Sequence, residues 1–220
     1  MVINRRKIAL TALFCYMSLF AADNYYVRQM IIADMNDRDI LDTAYQETYV
    51  GKDIVIMSDG VTKTFIDDSS YSFYNFSDST FFSRQFSELD DISAFSDTQL
   101  KNFEIKNSGK KAKVGDWNTE IYKAAAIIMG MDMEMDMYVA KSTGFPTDLL
   151  MRMQDKMHKS SANITRMIEK IQDTGGIVVK EIARIGGTVV SEKQIVEIKV
   201  MSEIDDQIKQ RPENFKMIGQ

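Results

Sequence analysis

The sequence predicts an α+β domain: a strand-rich antiparallel sheet whose main helices are inserted between strands late in the chain. Three observations carry that prediction. Polarity alternates with a period of two from Tyr25 to Phe86 and returns beyond Phe103, turn residues punctuate those runs at short intervals, and the period lengthens to that of a helix between Thr147 and Ile171.

The alternating runs come first. Tyr25–Ala33 and Thr43–Val50 are β-rich, and Gly51 closes the second. Ile54–Met57 leads through Ser58-Asp59-Gly60 into Val61–Ile66, and Asp-Gly between β-branched runs is a strong hairpin signal. Asp67-Asp68-Ser69-Ser70 then turns the chain into the aromatic run Tyr71–Phe76, which completes a meander. Residues 77–103, rich in Ser, Asp and Phe, fit a strand and a short helix equally. Phe103–Lys106 restores the strand signal, Asn107-Ser108-Gly109 with Lys110, Lys111 and Lys113 reads as a solvated turn, and Val114–Ile128 reads as one long strand. Gly130 is the expected hairpin turn before Met131–Ala140.

The helical period follows. Thr147 is the N-cap after Pro146, Asp148 sits in the first turn, and Leu149, Leu150, Met153 and Met157 share one face. Ile164, Met167, Ile168 and Ile171 recur at i, i+3, i+4, i+7 before the Gly175-Gly176 stop. Ile177–Ile185 and Thr188–Met201, separated by Gly186-Gly187, close the domain. The polar tail Ile204–Gln220 carries Phe215 and Met217, apolar groups able to dock against it.

The first twenty residues have a different character. Arg5, Arg6 and Lys7 precede an apolar run from Ile8 to Ala22 of signal-peptide length, too short for a comfortable membrane span of ~20 residues. Residues 1–21 are therefore expected to be a secretory signal peptide, with cleavage after Ala21 or Ala22 and residues 22–220 forming a single domain. An uncleaved anchor and a buried N-terminal helix are the competing readings. Cys15, the sole cysteine, leaves with the signal; Phe14 before it is not the small residue that lipidation favours. Removing 1–21 leaves 24 basic and 32 acidic side chains, a net −8, and no disulfide. The expected location is the periplasm, or outside the cell.

Composition narrows the chemistry. One His and one Cys in 220 residues exclude the usual zinc sites, a Cys-His pair and a disulfide framework, and a net charge of −5 argues against nucleic acid. Asp67-Asp68 and Asp90-Asp91 lie in turn-like contexts, and His158 lies near a helix end without a partner. Nothing supplies the apolar pocket or opposed charge that would tune a catalytic carboxylate. No cofactor and no enzymatic activity are expected. The lysines of 110–113 can at most touch anionic lipid headgroups.

Methionine is the exception, at 16 residues. Met129, Met131, Met133, Met135 and Met137 alternate with Gly130, Asp132, Glu134 and Asp136, so a strand here turns a methionine face one way and carboxylates the other. Met153, Met157 and Met167, with Leu150 and Ile168, belong to the helices that would cover that face. Three readings stand: a packed core, a cavity for a hydrophobic ligand, which soft thioether side chains accommodate well, and a soft-metal site for Cu(I). No metal is assigned among them.

Lys113-Val-Gly-Asp-Trp-Asn-Thr-Glu-Ile-Tyr122, the Met-rich hairpin 127–140, the insert from Phe145-Pro146 and the tail Arg211-Pro-Glu-Asn-Phe-Lys216 resemble an uncharacterised family of exported bacterial proteins in the LolA-like superfamily. The resemblance covers roughly residues 24–218; Thr119 departs from it, since many relatives carry Cys there. It implies a strongly curved antiparallel sheet, an incomplete barrel, with helices packed in its concave face and an apolar cavity between them. Related carriers move lipids or lipoproteins across the periplasm. The expected function is thus a periplasmic binding or carrier protein for a lipid, lipoprotein or other hydrophobic ligand. The alternatives are an envelope interaction scaffold using residues 71–95 as its contact surface, and a Cu(I) protein.

Overall fold

The computed structural model describes residues 24–34, 41–86, 100–128, 130–141, 144 and 169–218. The proposed signal peptide with Cys15, the Asp90-Asp91 pair, Met129, Leu150, Met153, Met157, His158, Met167 and Ile168 lie outside them.

Among the described residues, twelve strands form one sheet. They are β1 (Asn24–Asp34), β2 (Leu41–Val50), β3 (Ile54–Ser58), β4 (Thr62–Asp67), β5 (Ser70–Asn75), β6 (Thr80–Gln85), β7 (Leu100–Val114), β8 (Trp117–Ile128), β9 (Met131–Ala140), β10 (Ile177–Ile185), β11 (Thr188–Met201) and β12 (Lys216–Met217). The order is β12-β6-β5-β4-β3-β2-β1-β11-β10-β9-β8-β7. Two antiparallel meanders, β1–β6 and β7–β11, therefore meet where β1 pairs with β11, and only β12 runs parallel to its neighbour.

Turn chemistry sets the hairpins. Asp59 accepts the backbone N–H groups of Val61 and Thr62 at 3.0 and 2.6 Å, while Gly60 takes the positive φ that joins β3 to β4. Asp67 does the same for Ser69 and Ser70 at 2.9 and 2.7 Å. These hairpins fall where the sequence places them, as do Gly130 and Gly186-Gly187. In the undecided stretch 77–103, β6 and the start of β7 are strand. One turn moves: Lys110, Lys111 and Lys113 lie within β7, and the chain reverses instead at Gly115-Asp116. β7 is an edge strand, and its bulges and exposed lysines are devices that keep an edge from pairing with other chains.

The sheet bends until distant strands touch. Val55 of β3 and Ile66 of β4 share a buried cluster with Val114 of β7, Ala140 of β9, and Val179 and Ile195. Only strong curvature brings members so far apart in the order together, and the sheet remains open at β12 and β7.

The fold class differs from the α+β expectation. Among the described residues, α-helix is confined to 169–172 and the single turn Asp206–Lys209, so the described part of the molecule is nearly all sheet. Among the described residues, helices do not fill the concave face: the cluster where β3 and β4 meet β7 and β9 is built from strand residues and their flanking positions. The reason is quantitative. The helical pattern of 147–171 is a minor share of a chain whose strands run up to 15 residues, and a sheet this long buries one face against itself.

The tail docks, as Phe215 suggests. It crosses the other face of the first meander, where Ile204, Ile208 and Phe215 pack on Ile56, Phe65 and Tyr74. Arg211 donates to the Ser72 hydroxyl at 2.7 Å and to Asp67 at 3.0 Å, with its guanidinium over the Phe65 ring. Hydrogen bonds from Ile218 to Phe81 and from Lys216 to Ser79 then add β12 to the edge of β6.

Candidate functional site

β9 lies between β8 and β10 without interruption of its β8 register. Alternation therefore holds, and Met131, Met133, Met135, Met137 and Val139 share one face. Their exposure falls steadily along the strand: Met131 is 46% exposed, Met133 partly buried, Met135 9% and Met137 1%. The face thus begins in solvent and ends in core.

Small residues make room for the thioethers. Met135 is level with Ala124 on one side and Ala183 on the other, and Met133 with Ala126 and Ile185. Around the buried set Ala124, Met135, Met137 and Ala183 pack Phe103, Ile105, Tyr122, Met133, Val178, Val190 and Ile171. Phe103, Ile105, Ala183 and Val178 were not among the expected lining residues. The run Ala124-Ala125-Ala126 was a usable signal, because alanines beside a methionine strand imply large side chains packed against small ones.

Ile171 belongs to the segment between β9 and β10. That insert, residues 141–176, leaves and returns at one end of the sheet, since Ile177 pairs with Ala140. Lys170 donates to the Phe103 carbonyl at 2.7 Å, and Thr174 caps the turn through the Ile171 carbonyl at 2.7 Å. Gly176 then passes so close to β9 that an added Cβ would lie 2.6 Å from the Ala140 carbonyl oxygen. The close of the insert, residues 169–176, is therefore held against the sheet beside the methionine face. Of the expected lining residues, Met133, Met135 and Met137 come together here, while Met131 shares their face but stands outside the cluster in solvent.

Burial changes sides along these strands. On β8, Thr119 is buried near one end, and its hydroxyl donates to the Ala112 carbonyl at 3.0 Å; Ala124 and Ala126, on the opposite face, are buried near the other. On β9 the change comes at Val139 and Ala140, both buried. A bulge between Val178 and Lys180 accompanies it on β10.

The remaining faces of β9 and its neighbours carry charge in pairs. Asp136 accepts from Arg184 at 2.7 Å and lies 3.6 Å from Lys123, and Lys180 meets Glu192 at 2.6 Å. At the Val139 end, a hydrogen bond from Lys141 holds the Glu120 carboxyl below its usual range, so it carries charge rather than a proton to donate. Tyr26, on β1, is pushed up to about 12 by burial and by its hydrogen bond to Glu47, and it stays a neutral phenol. Among the described residues no three His, Cys, Asp or Glu side chains are placed to hold a metal ion, and no helix is long and apolar enough to cross a membrane.

No family model and no curated protein matches the chain. Solved structures do. An uncharacterized conserved protein from Thermus thermophilus superposes with a TM-score of 0.51 at 8% identity, over 93% of this chain and 98% of that one. The likeness is one of fold. Looser matches include a LolA superfamily protein from Nitrosomonas europaea, TM-score 0.35, 11% identical over 87% and 92% of the two chains. A DUF1329 family protein from Desulfovibrio piger ATCC 29098 has a TM-score of 0.36 and 10% identity over 93% and 96%.

Proposed function

We propose that the chain is an exported binding or carrier protein of the cell envelope that holds a lipid or another apolar ligand against the methionine face of β9, and that it is not an enzyme. One observation carries this reading: the face is apolar and one-sided, and it grades from buried Met137 to exposed Met131 beside the closing turn of the insert. Thioether side chains with three rotatable bonds adapt to acyl chains of varied shape, which suits a carrier. The test is lipid extraction with native mass spectrometry on protein purified from its own envelope fraction. A co-purifying amphiphile that is lost from a Met133→Asp, Met135→Asp variant that remains folded supports the reading; a mass equal to the bare chain in every preparation overturns it.

A second reading, an envelope interaction scaffold, is favoured by the exposed Phe76, which stands at the end of the Tyr71–Phe76 run and meets Phe215 edge-on with ring centroids 5.3 Å apart. A crosslinked protein partner lost on changing Phe76 to Ser, with lipid absent, would favour it over the carrier. The Cu(I) reading gains nothing from the geometry. Consecutive methionines of one face sit about 7 Å apart along a strand, and the uninterrupted register supplies no bend to gather them around one ion.

A further inference from the structure

We propose that Met131 and Met133 are sites of reversible thioether oxidation, and that sulfoxide at Met133 loosens the closing turn of the insert from the sheet. The proposal does not rest on a bound ligand.

Susceptibility of a thioether follows its access to solvent. Along β9 that access runs in one direction, from Met131 at 46% exposure to Met137 at 1%. A small oxidant of the peroxide class therefore meets an ordered series rather than four equivalent sulfurs. The step is a two-electron oxygen transfer. A sulfur lone pair attacks one peroxide oxygen, the O–O bond breaks, and the second oxygen leaves as hydroxide and takes the proton from the transferred oxygen, giving sulfoxide and water.

The consequence depends on position. At Met131 the new S–O dipole is hydrated by the solvent already there. Met133 instead borders the cluster of Met135, Met137 and Ala183 on which Ile171 also packs. A strong acceptor there must draw in water or remain unpaired, and either outcome separates apolar neighbours. Among the described residues the turn is also fastened by Lys170, which donates to the Phe103 carbonyl and lies over its ring, and by the close approach of Gly176 to Ala140, so loss of the Ile171 contact loosens it locally without detaching it. Met217 supplies an internal reference. At 45% exposure it matches Met131, but it lies on β12, the strand at the opposite edge of the sheet.

The experiment is a graded hydrogen peroxide titration of the full chain, read by peptide-mapping mass spectrometry and by hydrogen exchange of peptides covering 169–175. Met131 and Met217 should oxidise first and together, Met133 next, and Met137 roughly tenfold or more slowly. Exchange in 169–175 should stay constant while Met131 and Met217 alone are modified, and rise severalfold as Met133 is modified. It should return after treatment with methionine sulfoxide reductases. In a Met133→Leu variant the rise should vanish at the same dose. Oxidation in an order unrelated to exposure, or an unchanged exchange rate once Met133 is sulfoxide, or a rise that persists in Met133→Leu, overturns the proposal.

Discussion

The two meanders of one sheet are built on different terms. In the first, neighbouring residues of a strand are buried on opposite faces: Val55 and Ile66 enter the main core while Ile56 and Phe65 lie under the tail. In the second, strands are mostly longer and burial is uneven: β9 has four buried residues in 10, and β11 has one, Ile195, in 14. Its cross-strand positions are filled by ion pairs such as Asp136–Arg184, and its buried side switches partway along β8 and β9. The first meander is committed to stability. The second keeps a partly open, soft face, which is where binding can be accommodated without dismantling the core.

That contrast makes a prediction of unequal cost. Phe65 is fully buried between Tyr74, whose ring meets it edge-on at 5.7 Å, and the Arg211 guanidinium. Phe65→Ala should cost about 3–5 kcal/mol in denaturant unfolding. Met131→Ala, at the open end of the other region, should stay within about 0.5 kcal/mol. Equal costs at the two sites would break the contrast.

Next in size is the seam where insert and sheet meet. Gly176→Ala would put a methyl group against the Ala140 carbonyl and the Val139 side chain, at 2.6 and 2.7 Å, so backbone must shift. A loss of about 1–3 kcal/mol is expected, the usual cost of overpacking, with faster hydrogen exchange in 169–175 than in β3 and β4. Uniform loss across both meanders would show that the insert is integral to the core and not a cover.

Smaller still is the effect of stiffening the soft face. Met133→Leu with Met135→Leu keeps volume and polarity nearly constant and should change stability by less than about 1.5 kcal/mol. If the face binds an apolar ligand, the recovered ligand should narrow in chain length or fall in amount, read by extraction and mass spectrometry. Unchanged ligand content would locate binding elsewhere.

How much of this was legible in the sequence follows the same division. Residues 41–76 and the closing strands 177–201 were readable because each turn carries its own local chemistry, Asp59-Gly60 and Gly186-Gly187 foremost. The methionine face was readable too, because alternation at Met131–Met137 needs no partner to be recognised. Residues 107–113 were misread: Asn107-Ser108-Gly109 with three lysines has turn composition, yet β8 pairs with it across bulges and makes it strand. The switch of buried side on β8 and β9 could not be read at all. It depends on bulges and on which element lies over each end, and neither leaves a local periodic mark. The weight given to helices in the fold class failed for a related reason: local periodicity shows that a segment has an apolar stripe, but not that the concave side of a sheet is free to receive it.

The finest test concerns the latch that ties the tail to the first meander. Burial alone would raise the Asp67 carboxyl, but hydrogen bonds from Ser69 and Ser70 outweigh it and hold the group below its ordinary value. A carboxyl lowered in the folded state stabilises the fold fully above the unfolded-state pKa, near 4, and that contribution fades as pH falls through the lower folded value. The Arg211 bridge to Asp67 is partly exposed, so it should add only about 0.2–1 kcal/mol at neutral pH. Asp67→Asn should therefore lower stability slightly at pH 7 and flatten the acid limb below about pH 4, while Arg211→Lys should leave the limb in place and loosen residues 206–218 in hydrogen exchange. If instead acid unfolding of the Asp67→Asn variant keeps its slope, the charge on Asp67 adds nothing to stability, and the latch is set by the apolar anchors Ile204, Ile208 and Phe215 alone.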